Sequence, residues 1–419
     1  MDKRTFLKSI PALGLGATGL FAHLEKLLAD VAGQSPAELA TNEDFWEKIR
    51  ADYKLKPDYI NLENGYYCFL PQKTLDDFIA HVREVNYQGS YYMRTVQWDN
   101  KNQVAAKLAA MANCEADELI ITRNTTESLD TIIGGFPWQA DDEAVMANQD
   151  YGAMLNMFKL VEKRFGVKRK LIDVPMNPGS DQEVVDAYAA AITDKTRLLM
   201  VCHMVNITGH ILPIKKICEM AHARGVEVMV DGAHAFGHIP VDIKDMNCDY
   251  YGTSLHKWLS VPLGAGFLFV KKGKSDQIWP LFAEGPREPN DISRLNHTGT
   301  HPVHTDLAIG NAIDYHNRIG GERKEARLRY IQNYWTSRVR GLDHIILNTP
   351  EDPQRSCAIA NVGVKGMKPG DLAKTLMDQY KIWTVAIDGN GVHGCRITPN
   401  VYTTTDELDT FVAALKDLA

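Results

Sequence analysis

Three consecutive segments decide the architecture: Arg197-Leu-Leu-Met-Val-Cys-His203, an amphipathic stretch Ile214–Ala223 closed by Gly225, and Val226-Glu-Val-Met-Val230 running into Asp231. Strands buried on both faces read as unbroken apolar runs, and a helix between two such strands returns the chain so that they lie parallel. The same alternation extends outward on both sides. Leu119–Thr122, Glu143–Ala147 and Gly266–Val270 have strand character, whereas Thr126–Ile133 and Met154–Phe165 have helical spacing. The pattern predicts an α/β fold, a large domain with a mostly parallel central sheet covered by helices. After Pro286–His304, rich in Pro, Gly, Asn and Thr, the chain reads as helix, strands and a final helix Thr405–Leu418, a smaller C-terminal α+β domain. The expected division is 1–35 leader, 36–75 N-terminal arm, 76–300 large domain and 301–419 small domain.

Composition narrows the function classes. Of 419 residues, 45% are hydrophobic and 24% charged, which is globular and excludes a disordered or fibrous chain. A net charge of −7 repels phosphate backbones, so nucleic acid is not an expected partner. Mean hydropathy of −0.26 leaves no room for a polytopic membrane protein. Cys68, Cys114, Cys202, Cys218, Cys248, Cys357 and Cys395 are widely spaced with no C-x-x-C, so they form neither a disulfide framework nor a zinc pattern. His297, His301 and His304 fit no standard metal spacing, and no metal is expected.

The first residues carry a targeting signature. A basic start and an apolar, Gly/Ala-rich stretch from Ile10 to Ala22 suit a signal peptide better than a spanning helix. Lys3, Arg4, Phe6, Leu7 and Lys8 resemble a twin-arginine signal, with Lys3 where the first arginine belongs. The expectation is export to the periplasm or beyond, with no stable membrane insertion after processing; the alternative is a cytoplasmic protein with an uncleaved arm. Farther on, Thr41 or Asn42 is placed to cap the arm's main helix.

In parallel sheets ligands sit beyond the carboxyl ends of the strands. Four such ends carry suggestive groups. Thr122-Arg-Asn-Thr-Thr-Glu-Ser128 brings the Thr125 and Thr126 hydroxyls and free N–H groups to a helix start, an anion cradle. Val230-Asp-Gly-Ala-His234 puts an acid at the end of an apolar strand, where it needs a cationic partner. In Ser254-Leu-His-Lys-Trp258, Lys257 lies between apolar residues that favour a neutral, nucleophilic amine. Cys202-His-Met-Val-Asn-Ile-Thr-Gly209 brings His203 and Asn206 off a strand into a glycine turn. Each alone has an ordinary reading: a helix cap, a solvated or metal-binding acid, a surface lysine, a turn. Gly264-Ala-Gly266 precedes a strand, the wrong order for a dinucleotide loop. A phosphate cup, a buried acid and a lysine together are what pyridoxal phosphate requires.

This set resembles fold-type I pyridoxal-phosphate enzymes of the aminotransferase class V family, and within it the isopenicillin N epimerase-like group. The matching segments are Thr122–Glu127, Asp150-Tyr-Gly152, His203–Pro213, Asp231–His234, Gly252–Trp258, Gly299-Thr300 and Arg396–Thr403. The resemblance implies an aspartate aminotransferase-like fold and pyridoxal 5'-phosphate as cofactor. It implies that Lys257 is the Schiff-base lysine and carries the proton at the substrate α-carbon, and that Asp231 pairs with the pyridinium nitrogen. Thr125, Thr126, Ser254 and His256 would hold the phosphate, Asn206 would touch the ring hydroxyl, and His234 would lie at the cofactor. Tyr151 stands where many relatives stack a histidine on the ring. Thr300 looks like the residue that reaches the phosphate of a neighbouring subunit, implying a homodimer with shared sites. Arg396 resembles the arginine that grips the substrate carboxylate of an amino acid. Tyr66, Tyr67, Tyr91, Tyr92 and Arg94 either line the substrate pocket or pack at a dimer interface.

The expected reaction is at the α-carbon of an amino acid, epimerase-like, with carbon–sulfur lysis or transamination as alternatives and a cofactor-binding sensor as the non-enzyme alternative. Cysteine desulfurases of this family carry a nucleophilic Cys on a loop upstream of the arginine. Here Ala386–Gly394 has no Cys and Cys395 adjoins Arg396, which argues against that reaction.

Overall fold

The computed structural model describes residues 22–419. In chain order its strands begin with β1 (Ile60–Asn61), β2 (Leu119–Thr122), β3 (Glu143–Ala147), β4 (Lys168–Ile172), β5 (Thr196–Cys202), β6 (Glu227–Asp231), β7 (Tyr250–Ser254) and β8 (Gly266–Val270). They continue with β9 (Ile345–Leu347), β10 (Ala360–Val364), β11 (Ile382–Trp383), β12 (Val385–Gly389) and β13 (Val392–Ile397).

A seven-stranded sheet has the order β2-β8-β7-β6-β5-β3-β4. From β7 to β4 every pairing is parallel. Strand β8 runs antiparallel to both neighbours, so β2 regains the common direction. The carboxyl ends of β2, β3, β5, β6 and β7 therefore share one edge. Register aligns them: Gly266 faces both Thr122 and Ser254, while Asp231 lies between Cys202 and Gly252.

The unbroken apolar runs are explained by burial on both faces. Leu199, Val201, Val228 and Val230 enter one hydrophobic cluster, whereas Leu198, Met200 and Met229 enter the other. The helix Thr125–Gly135 and the helix Gly152–Phe165 cover the second face with Leu129, Ile132, Ile133, Met154, Phe158 and Val161. Each fully buried side chain of this size contributes roughly 1.5–3 kcal/mol.

A second sheet, antiparallel and ordered β12-β13-β10-β9, is covered by the helix Pro369–Tyr380, and the helix Thr405–Asp417 packs against that helix and against Gly321–Val339. The N-terminal arm joins this unit: β1 pairs in parallel with β11, and Glu63 bridges Thr398. The arm helices are capped as their sequences dictate. Ser35 and Glu38 form a capping box on Pro36–Ala40, and of the two candidates Asn42 is the one that caps Glu43–Arg50, accepting from the Phe45 N–H at 3.1 Å. Helix Val303–Ile319 lies against the helices Gln72–Gln88 and Gln97–Ala112, tying the chain beyond residue 301 to earlier segments.

The leader motif Lys3–Lys8 and the apolar stretch up to residue 21 lie outside the described residues. Residues 22–35 do not behave as a detached leader. Helix Ala22–Asp30 buries Leu24 and Leu27 in the main cluster, and Glu25 accepts from Arg318 at 2.7 Å.

Candidate active site

The aligned strand ends bring five loops together. At the end of β2, Asn124 caps the helix Thr125–Gly135 through the Glu127 N–H at 2.9 Å. The Ser254 hydroxyl, from the end of β7, accepts the Thr125 N–H at 2.9 Å and lies 2.7 Å from the Thr125 hydroxyl. Two close approaches make this possible. A Cβ on Gly266 would lie 2.8 Å from the Asn124 Cα, and one on Gly252 would lie 2.9 Å from the Ser128 Cβ. Glycine at both positions lets the helix start sit directly on the sheet. Thr126 is half-buried beside this cup, and His256 leaves a buried Nδ1 with no hydrogen-bond partner. A helix N-terminus, two hydroxyls and an orphaned ring nitrogen are a donor set suited to a phosphate.

Asp231 is 2% exposed, and one oxygen accepts the Ala233 N–H at 3.0 Å. Burial pushes its carboxyl up, opposed by that N–H and by the Lys257 charge. A protonated ring nitrogen placed here would supply the missing countercharge. The residues therefore fit the pyridoxal phosphate expected above, phosphate at the helix start and ring nitrogen at the acid.

Lys257 lies in the turn after β7, next to the β6 end that carries Asp231. Its Nζ is 3.1 Å from His234 Nε2. The Trp258 indole N–H donates to His234 Nδ1 at 3.2 Å, which leaves the ring proton on Nε2. In its neutral form the lysine nitrogen accepts from that Nε2–H. Burial lowers the Lys257 amine to about 8, with Asp231 pulling the other way. Burial also holds His234 well below its ordinary value, so the ring is neutral. Behind it, His238 stacks on Trp258 at 3.6 Å, accepts the Ala358 N–H at 3.0 Å on Nε2, and meets the His234 carbonyl through Nδ1 at 2.9 Å. This brace fixes both rings. Lys324 donates to the Trp258 carbonyl from the other side.

Arg396, in β13, reaches across from the small sheet. Its Nη1 donates to the Asn206 carbonyl at 3.3 Å, in the loop after β5. Its Nη2 donates to Glu63 Oε1 at 2.5 Å and its Nε to Oε2 at 3.2 Å, a two-point fork between nearly buried side chains. Gly65 forms the floor: a Cβ there would lie 2.6 Å from the guanidinium carbon. Tyr151 follows the buried Asp150 after β3 and presents a half-exposed ring at the same edge. His203, buried, closes its loop through the Asp231 carbonyl and the Leu212 N–H.

The other expected positions are less engaged. Tyr66 is 76% exposed, but its N–H donates to Glu63 Oε1 at 2.9 Å. Arg94, on the short helix Ser90–Thr95, and Thr300, after the positive-φ Gly299, are exposed and make no hydrogen bond to this cluster among the described residues. Glu63, Gly65, Trp258 and His238 were not singled out by sequence. Trp258 ends the Ser254–Trp258 motif, but only three-dimensional proximity reveals its partner His234.

The family described as aminotransferase class V matches residues 71–411. The chain is 27% identical over 396 residues to isopenicillin N epimerase of Streptomyces clavuligerus, covering 89% of this chain and 98% of that protein. It is 28% identical over 396 residues to isopenicillin N epimerase of Amycolatopsis lactamdurans, with the same coverages, 89% and 98%. Among solved structures, the complex of the cystine C–S lyase C-DES with cysteine persulfide superposes with a TM-score of 0.78 at 21% identity, covering 88% of this chain and 99% of that one. That likeness shows the shared fold.

Proposed function

Because this chain belongs to the aminotransferase class V family, we propose that it is a pyridoxal-phosphate-dependent enzyme acting at the α-carbon of an amino acid, with an isopenicillin N epimerase-like reaction as the first reading. One observation carries it: a lysine amine drawn down to about 8 by burial and held by a hydrogen-bonded His–Trp pair, beside a buried acid and a phosphate cup at one sheet edge.

When bound, the cofactor supplies an electron sink that stabilises negative charge at the substrate α-carbon. The protein supplies the rest. Thr125, Thr126, Ser254 and His256 would hold the phosphate, and Asp231 would keep the ring nitrogen protonated. His234 and Trp258 orient the Lys257 amine, which would hold the cofactor and move the proton at the α-carbon. Tyr151 would lie at the ring face and Asn206 at the ring hydroxyl. Arg396 would grip the substrate carboxylate, with Tyr66 and Arg94 at the pocket mouth.

Carbon–sulfur lysis is the second reading. It needs one base, Lys257, and a leaving group, and a cystine C–S lyase shares this fold. A persulfide route through a cysteine nucleophile is disfavoured, because Cys395 is fully buried within β13 and every cysteine among the described residues is buried.

We further infer a homodimer in which Thr300 reaches the partner's phosphate site. The exposed Tyr87, Tyr91 and Trp98 support an interface on the helices near residues 72–112. Export through the Lys3–Lys8 signal is the proposed localisation.

The test is a spectral screen of the purified protein against single amino acids in deuterated water, with product analysis by mass. α-Proton exchange without net product supports the epimerase. Release of pyruvate, ammonia and a sulfur product supports the lyase. A visible band unmoved by every amino acid rejects the enzyme reading. Lys257→Ala should fold and lose turnover.

A further inference from the structure

The guanidinium assigned to the substrate carboxylate already holds a carboxylate of this chain. Glu63 engages Arg396 through two hydrogen bonds, at 2.5 and 3.2 Å, with side chains only 7% and 9% exposed. This is the planar fork by which an arginine recognises a carboxylate. Glu63 is itself aimed by the Tyr66 N–H at 2.9 Å, in the turn after β1. The guanidinium is fixed from below by Gly65 and at Nη1 by the Asn206 carbonyl. Arg396 thus has little freedom to move away from Glu63.

We propose that Glu63 is a specificity-determining residue: an internal anion in the carboxylate subsite that must release Arg396 before an amino acid binds productively. This rests on the reading of Arg396 as the carboxylate site. A tethered competitor acts at high effective concentration. A plain carboxylic acid has one point of attachment and displaces it poorly. An amino acid, whose amine also reacts in the site, has a second attachment that offsets the cost. Glu63 therefore discriminates amino acids from the simple carboxylates around them.

The experiment uses the holoenzyme and two probes, propionate and L-alanine. Binding is read by saturation-transfer NMR for propionate and by titration of the visible band for both. Glu63→Gln should tighten propionate about tenfold, because a neutral amide competes weakly for the guanidinium, and should tighten alanine less. Glu63→Ala is the second variant and should move propionate the same way; circular dichroism and Tm establish folding for each. Arg396→Lys should weaken both probes, alone and combined with Glu63→Gln. If Arg396→Lys weakens binding but both Glu63 variants leave propionate unchanged or weaker, Glu63 only orients the arginine and the proposal fails. If Arg396→Lys alters neither probe, the assignment of Arg396 fails first and the proposal with it.

Discussion

Lys257 shows how much a single position depends on its neighbours. Burial brings its amine down to about 8, and His234 donates to it because Trp258 fixes the tautomer. The neutral amine is the reactive form. The rate at which the apoenzyme covalently captures cofactor should therefore rise with pH, with a midpoint near 8, and level off above it. Trp258→Phe keeps the stack on His238 but removes the indole N–H. His234 then loses its fixed tautomer, and the midpoint should move upward. Stopped-flow absorbance over a pH series measures this, and a midpoint that stays put removes the His–Trp pair from the mechanism. Gly65 is a second position of this kind. A methyl group there would meet the Arg396 guanidinium at 2.6 Å. Gly65→Ala should raise KM about tenfold or more while cofactor affinity stays near wild type, since a small misplacement of a carboxylate clamp is costly. Equal loss of cofactor affinity would mean that Gly65 supports the whole site.

At the scale of elements, the cofactor cup is a helix start pressed on a sheet edge. Gly266→Ala would bring a Cβ 2.5 Å from the Thr253 carbonyl oxygen and 2.8 Å from the Asn124 Cα, so the helix Thr125–Gly135 must shift. Cofactor affinity should fall at least about tenfold and Tm should drop, because the Thr125 and Ser254 hydroxyls would no longer converge. Asn124→Ala should cost about 1 kcal/mol through the lost cap alone. A chemical-denaturation series with and without cofactor separates the two effects. The elements themselves were legible in the sequence: Leu119–Thr122, Glu143–Ala147 and Gly266–Val270 are strands with the bounds their apolar runs indicate. The direction of β8 was not legible, because a buried apolar run is the same read either way. The last glycine of Gly264-Ala-Gly266 opens β8 and serves as a spacer between helix and sheet.

For the whole molecule, the segment that begins at Ala22 is part of the body. Leu24 is fully buried, Leu27 and Val31 nearly so, and His23 meets Asp52 at 3.0 Å. The chain from Ala22 onward serves as the reference. Removing residues 1–35 strips these side chains from the core and should lower stability by several kcal/mol, at about 2 kcal/mol for each large apolar side chain. Equal melting of the two truncations would show that the helix Ala22–Asp30 adds nothing. The arm also carries Glu63 from β1, paired with the C-terminal β11, to an arginine 333 positions away in the chain.

The chain alone determined the alternation of strand and helix, the sheet edge where chemistry gathers, and the lysine, acid and hydroxyl set found there. Those features are local: burial on both faces imposes apolar runs, and strand-end loops carry polar groups a few residues further on. Tertiary structure decided which tautomer His234 holds, that Arg396 crosses from the small sheet, and that Glu63 already occupies it. Such facts depend on distance between residues far apart in the chain, and no local pattern of hydrophobicity or charge encodes that distance.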